Sequence, residues 1–215
     1  MNWIWTIGAP SVRLIMSSVF RVRVEGIEHV PRAGTVIVAP NHVSVLDGPA
    51  VSAITGTYRR RALRNLIAAE VFHGVLGWIL RQARQVPIRR GIGDTGAVDD
   101  AIEAARGGSC VGIFPEGRVN DEPENELQRI RSGLTRIALP TGAPVVPVGI
   151  WGTQAVWPRA GLMRAAMLRR HTMAVIYGEA LVPHPGESPG GFRERYRAAL
   201  DTVVSRARQV VGERR

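Results

Sequence analysis

The residues best suited to chemistry stand in Asn41-His42-Val43-Ser44-Val45-Leu46-Asp47, where a short β-branched run ends at Pro40 and a helix-forming stretch begins. An imidazole titrates near neutrality and can take a proton from an alcohol, while a carboxylate a few residues on can fix its tautomer and stabilise the imidazolium. Ser44 and Asp47 also form a Ser-x-x-Asp helix-start pattern, which on its own would make His42 an ordinary loop residue. Both readings stand on the sequence.

Three further blocks carry polar or shaping potential. Phe114-Pro115-Glu116-Gly117-Arg118 follows an apolar run, with a glycine that lets backbone approach a ligand and two charges that can engage a polar anionic one. Val86-Pro87-Ile88-Arg89-Arg90-Gly91 ends another run in paired arginines, a forked grip suited to phosphate. Pro144-Val145-Val146-Pro147-Val148-Gly149-Ile150 has no reactive group and reads as a strand shaping a wall.

Composition removes other chemistries. The net charge is +10, and all 28 basic residues are arginine. A chain without lysine has no Walker phosphate loop, Schiff base or Ser-Lys dyad, but it suits bound anions. The single Cys110 lies in an apolar strand-like run, which leaves neither a disulfide nor a metal cluster to expect, and a reducing cytoplasm is the default. No Gly-x-Ser-x-Gly elbow is present, so a covalent acyl-enzyme has no evident nucleophile.

The elements that must position these groups follow from periodicity. Strands are expected at residues 19–24, 35–39, 66–68, 85–88, 110–114, 145–150 and 173–177. Helical patterns cover residues 47–53, 97–105 and 127–139, with an apolar segment at 71–80. A C-terminal helix carries Phe192, Tyr196, Leu200, Val203, Val204 and Val211. This alternation is that of an α/β protein, a single-domain mixed sheet flanked by helices. Residues 1–20 are apolar with Trp3 and Trp5, but Pro10 and Arg13 interrupt them short of about 20 residues, the spanning length. They read as a membrane-associating interfacial segment, or alternatively as a first helix packed on the core. The basic amphipathic stretch from Trp151 to Arg170 reads either as a second contact with an anionic membrane surface or as a surface helix.

Taken in order, the four blocks resemble the glycerolipid acyltransferase family typified by 1-acylglycerol-3-phosphate acyltransferase, marked by NHxxxxD, a motif-two arginine, FPEG and a proline-flanked apolar strand. The likeness runs from about Val24 to Gly152. It implies a glycerol-3-phosphate acyltransferase-like fold, with residues 1–20 as the membrane-associating segment and 21–215 as the acyltransferase domain. It also implies His42 as general base and Asp47 as its partner, with Asn41, Arg90, Glu116, Gly117 and Arg118 binding substrate. The co-substrate would be acyl-CoA or acyl carrier protein, with no cofactor or metal, and the acceptor a membrane lipid such as lysophosphatidate. The implied place is the cytoplasmic face of the membrane, peripheral or monotopic. Arg118-Val119-Asn120 stands where Thr-Arg-Ser is commoner, Arg89 where aspartate is frequent, and Arg131 where lysine is usual. Val71, Phe72, Leu76, Trp78, Ile79 and Leu80 are candidate walls for an acyl chain, or plain core.

Two rival readings use other residues. Gly91-Ile92-Gly93-Asp94-Thr95-Gly96 matches a dinucleotide-binding turn, with Glu116 twenty residues beyond Gly96. Arg59-Arg60-Arg61 could track a nucleic-acid backbone, but the aromatics are not interleaved with the arginines as stacking platforms would be, and no nucleic-acid partner is expected.

Overall fold

The computed structural model describes residues 2–89, 95–124, 126–158 and 170–213. Seven strands form one sheet among the described residues: β1 (Phe20–Glu25), β2 (Val36–Pro40), β3 (Leu63–Ala68), β4 (Val86–Ile88), β5 (Cys110–Gly112), β6 (Val145–Trp151) and β7 (His171–Tyr177). Their order is β1-β7-β6-β2-β5-β3-β4, parallel except where β6 meets β7. The mixed α/β sheet expected from the sequence is therefore present.

Side chains that alternate along each strand divide two cores. Val36 and Val38 face one side with α1 (Ala9–Val19) and α2 (Asp47–Arg59), while Ile37 and Ala39 face α4 (Thr95–Arg106), α5 (Gly133–Thr141) and α6 (Pro189–Gly212). The remaining helix, α3 (Gly74–Gln82), links β3 to β4. Strands covered on both faces must be apolar throughout, and β2 and β6 are buried at every residue. Pro147 falls where β7 has already ended, so its missing N–H leaves no ladder partner waiting. Gly149 has no alternative, because α6 crosses so closely that a Cβ there would lie 2.2 Å from the Val203 carbonyl oxygen.

Two helix boundaries differ from expectation. The helix expected to end at Ala53 continues to Arg59, because Ile54, Thr55 and Gly56 are buried and that packing outweighs the weak helix propensity of Thr-Gly-Thr. The helix expected from Leu127 starts only at Gly133. Leu127 and Ile130 are buried as expected, but the carbonyls of Leu127 and Gln128 accept from Arg197 on α6 instead of from a helical turn.

At the N-terminus a π-type helix (Ile4–Gly8) runs into α1. Trp5, Ala9 and Met16 are buried against α2, whereas Trp3, Ile7, Leu14 and Ile15 are exposed. One face of the segment is thus packed on the core, as the first-helix reading expects, and the other is exposed. No described helix is long and apolar enough to cross a membrane.

The topology singles out one crevice. From β2 the chain moves through α2, on one face, toward β3; from the adjacent β5 it moves through α5, on the other face, to β6. Neighbouring strands whose connections leave in opposite directions open a gap at their carboxyl ends, where ligands bind in open α/β sheets. His42 follows β2 and Phe114 to Gly117 follow β5. The dinucleotide-type turn would instead follow β4, a three-residue edge strand. Its Gly91 and Gly93 lie outside the described residues, and Gly96 is in the first turn of α4.

Candidate active site

Asp47 is the centre of the arrangement. It is fully buried, and its Oδ2 lies 3.0 Å from His42 Nδ1 while accepting the backbone N–H groups of Val43 and Ser44, each at 2.7 Å. Its Oδ1 accepts the Thr153 hydroxyl at 2.6 Å. A carboxylate only accepts, so in this pair Nδ1 of His42 is the donor. The Ser-x-x-Asp pattern does not cap the helix, since α2 begins at Asp47 with Leu46 as its N-cap and no side-chain cap hydrogen bond; the Asp47 carboxylate instead closes the turn on Ser44 and orients His42. Ser44 Oγ in turn accepts from Leu46 N–H and donates to the Trp157 carbonyl at 2.5 Å.

The histidine is held by more than Asp47. Its ring stacks on Phe114 with centroids 4.1 Å apart, and its side chain remains 12% exposed. Its backbone N–H donates to Glu116 Oε1 at 2.9 Å, and its carbonyl accepts from Asn120 N–H at 2.7 Å. Asn41, completely buried, exchanges two hydrogen bonds with the backbone of Ile150 and so fixes the end of β2 to β6.

The resemblance placed Glu116 on substrate, but the structure places it beneath the His42 turn, 1% exposed. Its Oε2 is buried without a partner, and burial pushes the carboxyl above its ordinary range, only partly opposed by the His42 N–H. A carboxyl raised in the native state stabilises fully below the ordinary value of 4.5, and that contribution is lost as pH rises through the higher native value. Glu116→Gln retains an acceptor for His42 and cannot ionise. The thermal midpoint of the wild type should therefore fall relative to Glu116→Gln as pH is raised from 4.5; parallel midpoint curves would contradict this.

Gly117 and the arginines form the outer part of the site. Gly117 has φ +73°, and a Cβ there would lie 2.7 Å from Cδ of Arg131, whose Nε donates to the Glu116 carbonyl. Gly117→Ala should cost about 1–2 kcal/mol for the left-handed backbone, lowering Tm by roughly 2–8 °C in a thermal melt. An unchanged melt would mean that the turn relaxes. Arg118 is exposed, with its Nε on Gln128 Oε1, and Arg131 is exposed beside it, so the rim of the crevice is basic. Arg89 stands exposed just beyond β4, and Arg90 lies outside the described residues. Sequence reasoning missed Thr153, Phe114 and Asn120. Cys110 is buried, with its thiol pushed up to about 12 by desolvation, which makes it a poor nucleophile.

Comparison with known proteins places the chain in a family. An uncharacterized protein of Mycobacterium tuberculosis is 36% identical over 160 residues, which cover 69% of this chain and 42% of that protein. A chloroplastic 1-acyl-sn-glycerol-3-phosphate acyltransferase of Brassica napus is 27% identical over 165 residues, 74% of this chain and 46% of that one. The chain thus spans less than half the length of these two relatives. The crystal structure of the 1-acyl-sn-glycerophosphate acyltransferase of Thermotoga maritima shares the fold, with a TM-score of 0.76 at 22% identity, over 98% of this chain and 82% of that one. The acyltransferase family model matches residues 21–151, a stretch that holds the histidine turn, the Phe-Pro-Glu-Gly turn and the proline-flanked strand. On these grounds the chain belongs to the acyltransferase family typified by 1-acylglycerol-3-phosphate acyltransferase.

Proposed function

We propose that this chain transfers a fatty acyl group from an acyl thioester, acyl-CoA or acyl carrier protein, to the hydroxyl of a lysophosphatidate or a related glycerophospholipid. The observation that carries this reading is the His42 ring held at 3.0 Å by a buried, fully hydrogen-bonded Asp47 at the crevice between β2 and β5.

In this mechanism Nε2 of His42 removes the acceptor hydroxyl proton as the oxygen attacks the thioester carbonyl. The tetrahedral intermediate collapses with loss of the thiolate, which takes the proton back from the imidazolium. The products are the ester and the free thiol. Asp47 stabilises the imidazolium without itself taking the proton. The exposed Arg118 and Arg131 beside the Gly117 turn supply the charge to hold an acceptor phosphate, with Arg90 added by family resemblance. Asn41 and Glu116 act through the backbone, keeping His42 in register with that turn.

An acyl chain contributes about 0.8 kcal/mol per buried methylene, so the enzyme must work beside an apolar phase or groove. The exposed Val71, Leu76, Trp78 and Ile79 of the β3–β4 connection suit that, and Phe72 is core. This supports peripheral attachment to a membrane, and the resemblance adds the cytoplasmic face. The test is thiol release from acyl-CoA, and separately from acyl carrier protein, with and without lysophosphatidate, with products identified by lipid mass spectrometry. Acceptor-dependent release with formation of the diacyl product is expected. Release that ignores the acceptor would overturn the reading.

A further inference from the structure

We propose that a hollow at the opposite end of the sheet from His42 is a docking site for the headgroup of an anionic bilayer lipid. The hollow measures about 500 Å³ and is lined by Trp5, Arg60, Arg61, Arg64 and Arg84, with Ser109 and Cys110 at its floor. Val36 and Cys110 are aligned across β2 and β5, and the chain from Val36 to His42 spans roughly 20 Å, so this is not the crevice already described.

Four arginines line the hollow, and no ion pair among the described residues involves any of them. Arg61 is 8% exposed and spends its donors on the carbonyls of Pro31, Gly34 and Gly108, which leaves a buried positive charge without a carboxylate. Such a charge under a concave surface favours an anion above it. Arg64 is tied to the same wall by its Nε on the Arg84 carbonyl.

The backbone adds an independent observation. Arg60 and Arg84, at φ +56° and +55°, are the two non-glycine residues with positive φ among the described residues, and both line this hollow. Glycine would occupy either position without strain. Both positions are helix ends, Arg60 closing α2 and Arg84 following the last turn of α3, so two separate helix termini bring an arginine to one hollow.

What lies beside the hollow identifies the ligand. Trp5 forms part of its wall, and the same N-terminal helical segment exposes Trp3 (58%) and Ile7 (62%). The Trp3 ring lies 6.4 Å from that of Trp78 on α3, where Val75 and Leu76 are also exposed. A soluble phosphate or a nucleic acid would account for the arginines but leave this aliphatic and aromatic shelf in water. A lipid headgroup beneath its own bilayer accounts for both.

This inference rests on the membrane-surface reading above but not on the acyl-transfer step, and one experiment separates them. The full chain, Arg60→Gly/Arg84→Gly and the charge-matched Arg106→Gln/Arg136→Gln, whose residues are on helices of the other face, are compared in three measurements. These are thermal melts, flotation with phosphatidylcholine vesicles with or without phosphatidylglycerol, and thiol release in detergent micelles. For the glycine pair we expect a Tm unchanged or raised, unchanged binding to neutral vesicles and unchanged micellar turnover. The gain in partitioning on adding phosphatidylglycerol should fall about 30-fold, from about 1 kcal/mol for each arginine near an anionic surface. The control pair should lose severalfold less.

Equal losses in both pairs would reduce the effect to net charge and overturn the site. Stabilisation by inorganic phosphate that the glycine pair loses, with vesicle binding unchanged, would assign the hollow to a soluble ion and also overturn it. Absence of micellar turnover in every protein, with the partitioning pattern intact, would remove the acyl-transfer reading and leave the docking site standing.

Discussion

His42→Ala is expected to lower turnover by roughly 10²- to 10⁴-fold, the range supplied by a positioned general base, with the fold intact. The structural half of this expectation follows from how little else depends on the imidazole. Both backbone hydrogen bonds of residue 42, to Glu116 and from Asn120, survive the substitution. Asp47 also keeps three of its donors, Val43 N–H, Ser44 N–H and the Thr153 hydroxyl, so no buried charge is left bare. The measurement is acceptor-dependent thiol release by wild type and variant, with circular dichroism and a melt as controls. Turnover within threefold of wild type would show that the proton leaves by another route.

Asp47→Asn should cost about 10³- to 10⁴-fold in kcat, the size seen when the carboxylate of a His-carboxylate pair is neutralised. The substitution is nearly isosteric, and the site can accommodate it. The asparagine oxygen can take the Val43 and Ser44 N–H groups while its amide donates to a Thr153 hydroxyl that has rotated to accept. Hydrogen bonding is then largely satisfied, but the negative charge that stabilises the imidazolium is gone. If Asp47 acts through His42, Asp47→Asn in a His42→Ala background should cost almost nothing further. Effects that simply multiply in the double variant would disconnect the two residues. Thr153→Val gives a smaller version of the same test, since it removes one donor from a carboxylate already held by three.

His42 and Asp47 were legible in the sequence because both fall within seven residues of Pro40, which ends a short apolar run, and local spacing then fixes their geometry. The Phe-Pro-Glu-Gly turn was legible for the same reason. Thr153 was not, because it reaches Asp47 across 106 positions from a turn after β6, and a threonine after a glycine has no periodic signature. The burial of Glu116 was not legible because a charged residue in a turn is ordinarily solvated; it comes with the His42 N–H on its carboxylate and Arg131 on its carbonyl, contacts that only the tertiary fold brings together. The apolar spacing at Leu127 and Ile130 identified buried residues correctly but not the extended backbone that carries them, since Arg197 supplies their neighbours' hydrogen bonds from α6. Paired arginines were visible at residues 59–61, but nothing in the linear order brings them to Arg84.

The pairing of β1 with β7 bears on the order of synthesis. Phe20 is registered with His171, and a ribosome adding ~5–20 residues per second needs about 7–30 s to produce the partner strand after β1 has been made. Throughout that interval β1 has no neighbour in the sheet, because β7 is its one partner among the described strands, and Phe20, buried in the finished protein, waits for it. The first strand to be made is thus among the last to find its partner, and a truncation that removes β7 leaves β1 with no neighbour in the sheet.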